Sequence, residues 1–165
     1  MSLSHYTKAE IESDISRVEA IIRTGIFEAG AQRNPLFQSA LTELLIRVRD
    51  LLAKSQNHAR RICFTDDVMV KGHVTDVTSL VTFVRDAICH IDSKKNDHDE
   101  IQARISFSAV FGKACLAQIG ATRIESEYED DIAFFFGSQR LYFKRHIMRA
   151  YREAVAELRP LLGVR

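Results

Sequence analysis

The sequence predicts a mainly α fold, a four-helix bundle with a small β insertion at about residues 101–137 before the last helix. Three observations carry this. Four stretches repeat apolar residues at helical spacing, one stretch switches to alternation, and the 165 residues suffice for one core but not two. A single domain over residues 1–165 follows.

The first helix is predicted from about residue 8 to about 30. Thr7-Lys8-Ala9-Glu10 reads as a capping box, and Ile11, Ile15, Val18 and Ile22 form a stripe behind it. The second starts at Asn34-Pro35, with Asn34 as cap and Pro35 at the first helical position, where a missing N–H costs nothing. Phe37, Leu41, Leu44, Leu45, Val48 and Leu52 supply its buried face, and it runs to about residue 60. Arg47, Arg49 and Lys54 fall mostly on its polar side. Residues 62–73 break the pattern and read as a connection. Thr75 or Asp76 can cap the third helix, whose stripe is Val77, Leu80, Val81, Val84, Ile88 and Ile91. The polar run Ser93-Lys94-Lys95-Asn96-Asp97 ends it.

Beyond it the period changes. Ile105, Phe107, Ala109 and Phe111 alternate with Arg104, Ser106 and Ser108, the mark of a half-buried strand. A second strand is predicted over Asp131–Phe136, closed by Gly137, and residues 114–130 fit either strand or turn. The helical period returns at about residue 141 with Phe143, Ile147, Tyr151, Ala154, Leu158 and Leu162, and Pro160 marks its end.

Lys plus Arg number 23 and Asp plus Glu 22, a net charge of +1. The chain as a whole is therefore not a polybasic nucleic-acid binder, although a local basic face remains open. No apolar run approaches the ~18 residues of a membrane span, and no signal-like stretch follows Met1. Three widely spaced cysteines, Cys63, Cys89 and Cys115, fit reduced thiols and a cytoplasmic location, with Cys89 read as a small buried side chain.

The chemistry-bearing stretch is Val84-Arg85-Asp86-Ala87-Ile88-Cys89-His90 on the third helix. At about 100° per residue, Arg85, Cys89, Asp86 and His90 fill an arc beside the core stripe. Asp86 and His90 stand at i and i+4, where helical side chains meet. A guanidinium, a carboxylate and an imidazole thus share one strip. This arrangement, Arg85-Asp86-(three residues)-His90, resembles the HEPN family, whose signature is Arg, four to six residues, then His, often with a polar residue after the Arg. The resemblance covers the four helices and leaves the β insertion unaccounted for. The Tyr that some branches carry two residues after the His is Asp92 here, so a tyrosine-dependent variant is not supported.

The resemblance implies a HEPN-like bundle and a metal-independent endoribonuclease. It would act as a homodimer with two motifs across one cleft, as a toxin or defence component with a protein antitoxin as a partner. In that chemistry His90 accepts the proton of an attacking ribose 2′-OH, Arg85 stabilises charge gathering on the phosphoryl oxygens, and Asp86 orients His90 or holds Arg85. The products would be a 2′,3′-cyclic phosphate and a 5′-hydroxyl. The alternative is a non-catalytic interaction module that uses the third helix as a dimer or partner face.

Three further features have two readings each. Arg145, Arg149 and Arg152, with Arg159, line one arc of the last helix and could track RNA phosphates, or form a solvated face paired with Glu153 and Glu157. Glu125, Glu127, Glu129, Asp130 and Asp131 are carboxylates without the pattern of a metal-binding loop. His98 lies between Asp97 and Asp99. No metal site, cofactor or membrane contact is expected.

Overall fold

Ser4 rather than Thr7 starts the first helix. Its hydroxyl accepts the Thr7 N–H at 3.0 Å, which sets α1 at His5–Arg23, one turn ahead of the expected capping box. The computed structural model describes residues 3–90 and 92–163. Helix α1 stops well before residue 30, because the Thr24 hydroxyl turns back to the Ile21 carbonyl and Gly25 takes a left-handed φ of 70°. Asn34 is not the cap of α2 (Phe37–His58). Its side chain accepts the Leu36 N–H at 2.9 Å and closes a turn just before the helix. Helix α3 (Val77–Cys89) begins at Asp76, whose carboxylate accepts the Ser79 N–H at 2.8 Å while the Ser79 hydroxyl accepts the Asp76 N–H. Helix α4 (Arg149–Leu162) is entered through a π-helical turn over Phe143–Met148. Pro160 lies inside its last turn, and Gly163, at φ 76°, ends it.

Helix α2 is the hub, packing against α1, α3 and α4. The expected stripes are buried: Phe37, Leu41, Leu44, Leu45, Val48 and Leu52 on α2, and Val77, Leu80, Val81, Val84 and Ile88 on α3. Ile91 lies outside the described residues. Arg47 and Lys54 do not face solvent alone. They reach across to buried Asp14 on α1, at 3.1 and 3.2 Å. Among the described residues, no helix is long and apolar enough to cross a membrane.

Strand content overturns the expected mainly α bundle with a small insertion. Among the described residues, seven short strands form three sheets. Strand β1 (Asp97–His98) pairs with β2 (Ala103–Arg104). Strand β3 (Ser108–Phe111) belongs to a separate sheet described below, while β4 (Ala114–Ile119) and β5 (Thr122–Ser126) make a hairpin from the ambiguous stretch. Strands β6 (Ile132–Phe136) and β7 (Gln139–Tyr142) complete the antiparallel sheet β3-β6-β7. This sheet closes one side of the core. Ile132, Phe134, Phe136 and Leu141 join the helical residues in one cluster, and Phe37 of α2 contacts the rings of Phe107, Phe111 and Phe134. Ala133, Phe135 and Tyr142 point the other way, into a second cluster with Val110 and Ile124. A strand buried on both faces is apolar throughout, so alternation cannot mark its two roles. Strand β7 also takes residues 141–142 from the start expected for the last helix.

Gly137, between β6 and β7, fixes the sheet to the loop after α3. It holds φ 54°, and a Cβ there would lie 2.8 Å from the Asp97 carbonyl and closer still to that of Lys95. Only glycine allows this approach. The Lys95 segment is thereby clamped under the end of α3.

Candidate functional site

Helix α3 ends where its backbone carbonyls run out of partners. Buried Asn96 supplies them, its Nδ2 donating to the carbonyls of Ala87 at 3.2 Å and His90 at 3.3 Å. This capping folds the loop back and brings Lys95 beside the helix. Lys95 Nζ donates to Asp86 Oδ2 at 2.5 Å, while Asp86 Oδ1 pairs with Arg85 Nη1 at 3.1 Å. The carboxylate is thus shared by two cations, and Arg85 is held one turn from the helix end with a quarter of its side chain exposed.

His90 is the residue that closes α3. Its N–H still bonds the Asp86 carbonyl at 3.0 Å, but φ −127° and ψ 90° take it out of the helix. The i,i+4 geometry expected for Asp86 and His90 therefore does not apply, since it requires both residues to be helical. The imidazole is exposed and makes no hydrogen bond or ion pair among the described residues. Of the two roles expected for Asp86, the geometry supplies the hold on Arg85 and gives His90 no orienting carboxylate. Cys89 is exposed rather than buried, because it falls on the arc beside the core stripe at the frayed end of the helix.

Lys95 also borders a groove of about 480 Å3 between α2 and α3. Arg49, Arg61 and His73 line it with Phe83, and none of its lining residues is Asp or Glu. Arg61 forks onto Asp76 at 2.9 and 3.0 Å and also donates to Gln56. That bond to Asp76 raises the guanidinium pKa above its usual value, so the charge is permanent. Burial pushes the Asp76 carboxyl up, but bonds from Arg61 and Ser79 outweigh it and hold it below the ordinary carboxylate range. The groove was not foreseen. Arg49 lay on the polar side of one helix and Arg61 in a patternless connection, and no sequence period links them.

The arginines at the start of α4 have other partners. Arg145 binds Asp130 and Asp131, each at 3.0 Å, with its guanidinium carbon 3.5 Å from the Tyr128 ring centroid. Arg149 binds Asp66 at 2.8 Å and Glu153 at 2.9 Å and lies 3.8 Å over Phe64. Arg152 is exposed, with no ion pair among the described residues. Buried Asp131 accepts the N–H groups of Ile132, Lys144 and Arg145 at 2.7–3.1 Å, capping the π-helical turn from the sheet side. The acidic run is thus dispersed: Glu125 pairs with Arg123 and Glu127 with Arg140, each at 2.9 Å. His98 is buried on β1. Among the described residues, no group of three His, Cys, Asp or Glu side chains is placed to hold a metal.

His146, in the π-helical turn, is fully buried and escaped sequence reading because it sits beside a basic stripe. Its Nδ1 accepts the Tyr142 N–H at 3.0 Å, which assigns the proton to Nε2, 3.1 Å from the Asp66 carbonyl. Burial lowers its pKa from the ordinary 6.5. The Asp66 carbonyl and the charges of Asp67 and Asp131 act in the opposite direction, and that of Arg140 adds to the lowering.

No protein-family model matches the sequence, and neither a curated protein nor a solved structure matches it significantly.

Proposed function

We propose that the chain is a metal-independent endoribonuclease, with His90 as the base that accepts the 2′-OH proton and Arg85 as the cation that stabilises the phosphoryl transition state. The observation that carries this reading is the end of α3. There Arg85 is positioned by Asp86, Asp86 is clamped by Lys95, and the exposed imidazole of His90 makes no hydrogen bond or ion pair among the described residues. An exposed imidazole can meet a substrate hydroxyl and has a ring nitrogen able to accept its proton. The resemblance of Arg85-Asp86-(three residues)-His90 to the HEPN motif supports the same assignment. One chain offers one Arg and one His, so a C2 homodimer that pools two of each belongs to the proposal. So do a cytoplasmic toxin or defence role and a protein antitoxin that restrains it.

One observation favours a second reading, a non-catalytic module that uses α3 as a dimer or partner face. Asp86 is fully engaged by Arg85 and Lys95, and no carboxylate orients His90. Cleavage of a labelled single-stranded RNA by the purified chain in EDTA, with end-group analysis, separates the two. A 2′,3′-cyclic phosphate and a 5′-hydroxyl are expected. A 3′-hydroxyl product or a strict Mg²⁺ requirement overturns the mechanism, and a well-folded dimer that cleaves nothing leaves the interaction module.

A further inference from the structure

We propose that the groove between α2 and α3 is a nucleotide subsite, taking one unit that carries both a phosphate and an aromatic base. Its charge is one-sided. Arg49, Arg61 and Lys95 line it without any carboxylate, since Asp76 and Asp86 are bonded to Arg61 and Lys95. Those two pairs hold the cations in place and offset part of their charge, which leaves Arg49 and the remaining Lys95 donors for an anion. A lysine has three N–H donors, and Lys95 gives one to Asp86. Arg49 has no ion pair among the described residues.

The second requirement of a nucleotide is a ring to stack on. Phe83 lines the same groove, half-buried, and Lys95 Nζ stands 5.5 Å from its ring centroid. A base on that ring would therefore have the Lys95 cation within reach of its phosphate. Base–aromatic stacking is sequence-tolerant and contributes materially to single-strand binding. Gln56 and Asn57 place exposed amides at the rim, with donors and acceptors for a base edge. The volume, about 480 Å3, lies in the range of small-ligand sites, roughly 300–1,000 Å3.

Lys95 joins the groove to the end of α3 through Asp86 and Arg85. A strand with one nucleotide in the groove would thus run toward His90. That the nucleotide comes from an RNA strand rests on the ribonuclease reading; a free nucleotide has the same chemistry.

The test uses the full chain carrying His90→Ala, which keeps RNA intact. Binding of adenosine 5′-monophosphate, inorganic phosphate and a ten-residue single-stranded RNA is measured by calorimetry at low salt. The nucleotide and the RNA are expected to bind at least tenfold more tightly than phosphate. Arg49→Glu should weaken both at least tenfold, and Phe83→Leu should weaken both while leaving phosphate unchanged. RNA binding much more tightly than the mononucleotide, with the mononucleotide competing, supports the strand as source; equal affinities support a free nucleotide. Absence of nucleotide and RNA binding at millimolar concentration, or binding indifferent to Arg49→Glu, overturns the subsite. Groove binding by a chain whose unmutated form cleaves nothing supports the subsite and removes the ribonuclease reading alone.

Discussion

The entry to α4 and the α2–α3 groove both carry arginines on helices, and their surroundings are opposite. At α4, Arg145 and Arg149 meet Asp130, Asp131, Asp66 and Glu153 and lie over the rings of Tyr128 and Phe64. Their charge is spent on joining the helix to the sheet and to the connection before α3. In the groove, Arg49 has no such partner among the described residues, Lys95 gives one bond to Asp86, and Arg61 alone is held as the α4 arginines are, by Asp76 and Gln56. An arginine row is therefore no guide to phosphate binding until the carboxylates from the rest of the chain are placed. Of the row that could track RNA phosphates, Arg145 and Arg149 are fasteners, while Arg152 and Arg159 are exposed with no ion pair among the described residues.

The comparison breaks most sharply at His90. His90→Ala should lower RNA cleavage at least about a hundredfold, the usual contribution of a general base. The urea midpoint should stay unchanged, because the ring contributes no internal hydrogen bond. Full cleavage by a folded His90→Ala chain would end its assignment as the base.

Next in size is Asp131→Ala at the α4 fastener. It strands three backbone N–H groups and frees Arg145, so a loss of about 2–4 kcal/mol is expected in urea unfolding. A loss under about 1 kcal/mol would mean that water replaces the carboxylate.

A third effect is pH-dependent and belongs to the same region. His146 is favoured neutral in the fold, so its contribution to stability is complete above the unfolded value near 6.5. It is lost as pH falls from there through the lower folded value, with a slope of at most about 1.4 kcal/mol per pH unit for one proton. Urea midpoints at pH 7.5, 6.5 and 5.5 should be level over the first step and fall over the second. A rising midpoint would contradict the buried neutral imidazole.

The smallest effect sharpens the contrast within the row itself. Arg145→Glu puts a carboxylate against Asp130 and Asp131 and should cost about 1–3 kcal/mol. Arg152→Glu should stay within about 0.5 kcal/mol of the starting chain. Equal losses would show that the ion pairs of Arg145 are not what holds the turn.

Much of the helical half was legible. The apolar stripes of α2 and α3 are buried as spaced, and the Asp76 cap stands where one of its two candidates was put. Boundaries fared worse where a competing local bond existed: Ser4 captured the start of α1 and Thr24 its end. In the β half, Ile132–Phe136 was legible as a strand, but not its place in the main core, since period-two reasoning needs one wet face. Of the site, the helix and the order of Arg85, Asp86 and His90 were readable. The release of His90 from the helix was not, because it depends on Asn96 folding back from the loop.

By itself the sequence determined which segments have an apolar side to bury, since spacing along a chain is a local property. It also placed the Arg85–His90 motif at the end of one such segment. Only the tertiary structure decided which charges remain available. Asp131 is 14 residues from Arg145, Asp66 is 83 from Arg149, and Arg61 meets Arg49 across a groove built from two elements. A charge acts through its nearest neighbours in space, and at these sites the neighbours that satisfy one arginine and leave another open are brought together by packing from parts of the chain that no periodicity connects.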